Sequence, residues 1–84
     1  MIVLVALQGR ERVPRALSEV ELFGGVSVSE IGSMVPRDAR EWWVVDADNS
    51  AVAVQVAKDW PRVSPGNPVL AHFKDGQTYL TRRS

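Results

Sequence analysis

One histidine, His72, and ten carboxylates carry most of the acid–base chemistry this 84-residue chain has near neutral pH, and it contains no cysteine. Disulfides, thiolate metal sites and thiol catalysis are therefore excluded for these residues. A multi-histidine metal centre is excluded too, and any Ser-His-Asp arrangement would have to use His72. Asp46 and Asp48 stand two apart ahead of Asn49. That is the opening spacing of a calcium loop, but the glycine and the distal glutamate that complete one are missing. The segment Asp46-Ala47-Asp48-Asn49-Ser50 reads instead as a turn whose side chains bond their own backbone. His72 lies between Ala71 and Phe73 and reads as a satisfied strand histidine. The alternative is an enzyme using His72, Asp59 or an acidic pair, which predicts a concave pocket containing His72 with a carboxylate within hydrogen-bond reach. No serine sits in a strand-to-helix elbow, and Gly24-Gly25 precedes no recognisable phosphate loop. No catalytic, metal or cofactor-binding residue is assigned, and no cofactor is expected.

Three tryptophans invite a different chemistry, that of contact. Trp42 and Trp43 are adjacent, so on a strand they point to opposite faces. One is expected to fill the core while the other meets solvent, a loop or a partner. Trp60 stands in a turn, followed by Pro61. Aromatic anchors dominate many interfaces, and Trp43, Trp60, Phe73, Tyr79 and Arg82 form the expected partner-binding set. Arginine beside aromatic residues also suits single-stranded nucleic acid, here through Arg10, Arg12, Arg82 and Arg83. The charge distribution argues against direct nucleic-acid binding. Ten basic and ten acidic residues cancel overall. Residues 1–15 carry net +2, residues 16–61 net −5 and residues 62–84 net +3. Eight of the ten cations are arginine, which favours bidentate pairing at interfaces over diffuse attraction.

The elements that must position these groups are mostly strands. Ile2–Leu7 is a continuous apolar run that suits a central strand. It lacks the basic flank of a signal peptide and is too short to span a membrane, so the chain is expected to be soluble and cytoplasmic. Starting at Met, it is expected to be a whole gene product: one domain over residues 1–84, with an N-terminal strand and connector over 1–19. Pro14 predicts the first position of a short helix running to about Leu22, and Val20–Phe23 offers a competing strand. Val26–Ser29 alternates as a short half-buried strand. Gly32 through Asp38 reads as loop, with one helical turn possible over Pro36–Glu41. Trp42–Val45 is a strand. Ala51–Ala57, with Val52, Val54 and Val56 alternating, predicts another. Ser64–Pro68 is a turn, Val69–Phe73 a strand, Asp75-Gly76 a hairpin turn, and Gln77–Arg82 the return strand. The fold class is mostly β: a small rolled sheet or partial barrel of five to six short strands with at most two short helices.

Four stretches carry a resemblance. Val20-Glu21-Leu22-Phe23-Gly24-Gly25-Val26-Ser27-Val28-Ser29 resembles the opening of the self-cleaving C-terminal domain of LexA-like, phage CI-type repressors. Pro36-Arg37-Asp38-Ala39-Arg40-Glu41-Trp42-Trp43 looks like the acidic, Glu-Trp-containing stretch that follows there. Ser50 to Val56 is similar to the strand leading to that family's nucleophilic serine. Pro65 to Phe73, with Asp75 to Leu80, looks like the hairpin carrying its catalytic lysine. The matches run from about Val20 to Arg83. The departures fall on the chemistry: Lys58-Asp59-Trp60-Pro61 stands where the family has Gly-Asp-Ser-Met, Thr81 followed by Arg82 stands at its lysine, and Val28-Ser29 replaces its scissile Ala-Gly. A segment after the nucleophile is also missing, and only 19 residues precede the match, so no upstream helix-turn-helix is expected. A Ser-Lys mechanism needs a hydroxyl and a neutral amine in contact, and an arginine does not serve as that amine.

The resemblance implies a catalytically dead module whose remaining property is its surface. The expected function is a non-enzymatic, protein-binding regulator, an antirepressor or modulator of phage or prophage type. Its expected partner is a repressor-like protein, a recombinase or another host protein, with homodimerisation possible. The alternatives are a small structural or assembly protein, an acidic mimic that blocks a nucleic-acid-binding enzyme through residues 19–59, and an enzyme built on His72.

Overall fold

The structure, a computed structural model, describes residues 1–8, 13–20, 28–62 and 68–80. Seven elements follow in chain order: β1 (Ile2–Gln8), β2 (Val13–Glu19), α1 (Val28–Met34), β3 (Glu41–Asp46), α2 (Ser50–Asp59), β4 (Val69–Lys74) and β5 (Gln77–Leu80). The strands form one open sheet in the order β2-β1-β3-β4-β5, and every neighbouring pair is antiparallel. The mostly β architecture with two short helices is the one expected. Among the described residues no helix is long and apolar enough to cross a membrane.

The neighbouring interior strands β1 and β3 carry uninterrupted apolar runs, Ile2–Leu7 and Trp42–Val45, because both faces of the sheet are covered. From β1, Val3, Val5 and Leu7 face one side, where they meet Trp43, Val45, Ala47, Val69 and the α2 residues Ala53 and Ala57. Ile2, Leu4 and Ala6 face the other side, against Trp42, Val44, Ala71 and Ile31 of α1. Antiparallel sheets often leave one face wet and then alternate polar with apolar. Here the alternation is lost in β1 and β3, since either face offers burial. Trp42 and Trp43 do point to opposite faces, but both are only 3% exposed. The expectation that one of the two would meet solvent or a partner is therefore corrected.

Three elements differ from their expected type. The stretch expected as a helix from Pro14 is β2, an edge strand paired to β1. Proline is tolerated there because an edge strand leaves one side of its ladder unpaired. The stretch expected as a strand over Ala51–Ala57 is α2. Asn49 caps it, its side chain accepting the Val52 N–H at 2.9 Å, and alanines at 51, 53 and 57 favour helix. Ala53, Val56, Ala57 and Trp60 are spaced i, i+3, i+4 and i+7, the stripe of an amphipathic helix. Ala53 and Ala57 are buried, and their small size lets α2 lie close on β2, β1 and β3. Val28 and Ser29, expected as strand, begin α1, which continues through the expected loop start to Met34.

The remaining expectations hold where residues are described. Pro36 O accepts the Ala39 N–H in a single turn at 3.0 Å. The hairpin turns on Asp75 (φ 51°) and Gly76 (φ 84°), the two positive φ values of a type I′ turn. β4 carries an extra residue, Leu70, between the pairs Val44–Ala71 and Val45–Val69. This bulge turns Leu70 and Ala71 toward the same cluster. The Trp60–Pro61 peptide bond is cis. The expected strand over Val26-Ser27, the break at Gly24-Gly25, the turn over Ser64–Asn67, and Arg10, Arg12, Thr81, Arg82 and Arg83 lie outside the described residues.

Candidate functional site

The strand registers set one row of side chains across all five strands: Ala16, Val5, Trp43, His72 and Tyr79. Alternation puts Glu41 beside Trp43 on the same face and Lys74 beside His72. α2 packs on the β2, β1 and β3 part of this face, and its C-terminal end delivers Trp60 next to His72. The helix leaves the β4–β5 end of the row uncovered, and Tyr79 there is 51% exposed.

His72 is the hub. Its ring stacks on Trp43 (centroids 5.4 Å apart, interplanar angle 10°), lies against Trp60 at 5.0 Å and 56°, and neighbours Tyr79 at 6.2 Å. Its Nε2 donates to Glu41 Oε2 at 2.6 Å, an assignment that follows because a carboxylate only accepts. The partners are diagonal neighbours across the β3–β4 ladder: Glu41 pairs with Lys74, two residues from His72. The imidazole is almost wholly buried and the carboxylate mostly so, with side-chain exposures of 8% and 17%. Tyr79 donates its hydroxyl to Gln77 Oε1 at 2.6 Å. The indole N–H of Trp43 is buried and has no hydrogen-bond partner among the described residues.

Glu41, Trp43, Trp60 and His72 border an open groove of about 460 Å³, whose lining also includes Leu7, Pro14 and Lys74. Of the five residues expected to bind a partner, Trp43, Trp60 and Tyr79 gather around His72. Phe73 does not join them. It lies on the opposite face, stacked on Trp42 at 5.2 Å and 4°, beside a smaller groove of about 250 Å³ next to α1. Arg82 lies outside the described residues. Glu41 is the participant that sequence reasoning missed. Asp59, the other single residue considered for catalysis, accepts from Gln55 at 3.0 Å.

The chemistry open to this arrangement is limited. A His–carboxylate pair in a concave site meets the geometric requirement for a general base. A nucleophilic mechanism needs in addition a hydroxyl in contact with the base, and among the described residues none is hydrogen-bonded to His72. Among the described residues no three His, Asp or Glu side chains gather as a metal ion requires. Asp46, Asp48 and Asn49 form the corner between β3 and α2, with Asn49 spent as the helix cap. Compared with known proteins, the chain matches no family model, no curated protein and no solved structure.

Proposed function

We propose that this chain is a non-enzymatic protein-binding regulator that docks a partner through the α2-side groove. The observation that carries the reading is an aromatic cluster in which half-buried Trp60 and buried His72 line the groove and half-exposed Tyr79 neighbours His72 on the adjoining strand. Tryptophan and tyrosine are enriched among the anchors of protein recognition. The resemblance to LexA-like repressor domains supplies the finer reading, a modulator that pairs with a repressor-like protein or meets a recombinase. Surface plasmon resonance against a purified LexA-like repressor and a purified recombinase tests it. Saturable binding to one of them, weakened about tenfold or more by Tyr79→Ser or Trp60→Phe, is the expected result. Binding to nucleic acid alone would count against the proposal.

The Glu41–His72 pair favours one second reading, an enzyme with His72 as general base. It predicts turnover that Glu41→Gln and His72→Gln both abolish while the fold, followed by circular dichroism, is retained. The protein-binding reading predicts no such activity.

A further inference from the structure

We infer that the α2-side groove selects a peptide segment in which an acidic residue adjoins an aromatic or aliphatic one. The inference rests on the protein-binding reading and specifies what the groove would hold. Much of its lining is apolar, from Leu7, Pro14, Ala57, Trp43 and Trp60. Such a surface asks for a flat or branched apolar side chain. Its charges are unbalanced. Lys58 at the end of α2 and Lys74 at the end of β4 both line the groove and are exposed, and neither has an ion-pair partner among the described residues. Among the described residues the only carboxylate in the lining, Glu41, already accepts from His72. A ligand's carboxylate therefore meets two uncommitted ammonium groups, and a basic ligand meets repulsion. The C-terminal carbonyls of α2 carry partial negative charge and offset part of the Lys58 field, and Glu41, directly opposite Lys74 across the β3–β4 ladder, offsets part of the Lys74 field. The groove is open to solvent, as suits a segment lying across it. A site for a small molecule buries most of its ligand.

The test pans a phage-displayed random peptide library on the immobilised full-length chain, then measures the selected peptides by isothermal titration calorimetry. The expected result is enrichment of Asp or Glu next to Trp, Phe, Tyr or Leu. Lys74→Gln and Lys58→Gln should each weaken the selected peptide about threefold, and the pair about tenfold, in the range of exposed ion pairs. Trp60→Phe should reduce binding of acidic peptides and of their Gln or Asn counterparts alike. Both lysines are exposed, so their glutamine variants keep the fold, with circular dichroism as the check. Selection of basic or uncharged sequences indifferent to the two lysines overturns the inference while leaving the protein-binding reading standing. A library with no enriched sequence also overturns it, and the repressor and recombinase measurements then decide the broader reading separately.

Discussion

At the scale of single residues, the Glu41–His72 contact is the most exacting feature of the molecule. Removing one member leaves the other mostly buried with its hydrogen-bonding capacity unmet, which costs about 1–3 kcal/mol. Glu41→Ala and His72→Ala should each lower stability by that order in urea titrations. The double variant should lose less than the sum, with a coupling of about 1 kcal/mol in the mutant cycle. Equal additivity would mean that the 2.6 Å contact contributes nothing. Trp43 offers the opposite lesson. Its buried indole N–H has no partner among the described residues, so Trp43→Phe removes an unmet donor along with part of a ring. The two effects oppose, and the net change should stay within about 1 kcal/mol, against about 3–5 kcal/mol for Trp43→Ala. Aromatic anchors were legible from composition alone, since three tryptophans in a short chain must be placed somewhere. Their convergence on His72 was not, because it depends on the β3–β4 register, which pairs Trp43 with His72 across 28 intervening residues that include a helix. Glu41 was hidden for the same reason: a diagonal cross-strand contact has no signature within either strand.

At the scale of elements, α2 and the last hairpin depend on local chemistry that can be removed one group at a time. Asn49→Ala deletes the side-chain acceptor of the Val52 N–H and should lower the urea midpoint by an amount corresponding to about 1 kcal/mol. Gly76 sits at φ 84° with open space where a Cβ would go. Gly76→Ala therefore meets no clash and should cost only the backbone term, about 1–2 kcal/mol, read by thermal unfolding. The hairpin was legible because Asp-Gly is a local signal with a local cause. The swap of type at β2 and α2 shows where local signals compete. Val52, Val54 and Val56 alternate as in a strand, and the stripe Ala53-Val56-Ala57-Trp60 repeats as in a helix. Both patterns are present in the same ten residues. Tertiary packing chose the helix, which covers the sheet with its alanines and points Val52 outward at 43% exposure. Pro14 predicted a helix start, yet an edge strand tolerates the same residue, and β1 needed a partner on its outer side.

At the scale of the whole molecule, the sheet is graded from centre to edge. β1 and β3 are flanked by strands on both sides and covered on both faces, whereas β2 and β5 are its two edges. Amide hydrogen exchange followed by mass spectrometry should find the slowest amides in Val3–Val5 and Trp43–Val45, which exchange only through global unfolding, and much faster ones in β5. Uniform protection across the five strands would contradict this layering. The mostly β class with few helices was legible because Gly, Pro and Asp clusters divide the chain into short segments. The coverage of both faces was also written in the uninterrupted apolar runs of β1 and β3, though which segments supply the covering layers depends on the fate of α2.

The composition of β3 has a consequence for how this frame is kept. Its interior reads Trp-Trp-Val-Val, so sliding the strand by one position would present each layer with the same kinds of side chain as before. Apolar matching, which ordinarily forbids such a slip, is nearly blind here. Only the termini tell the two alignments apart: Glu41 would turn away from His72 and Asp46 would turn toward the α2 layer. The ionic ends of this strand, rather than its greasy middle, act as the index marks that lock the sheet in phase.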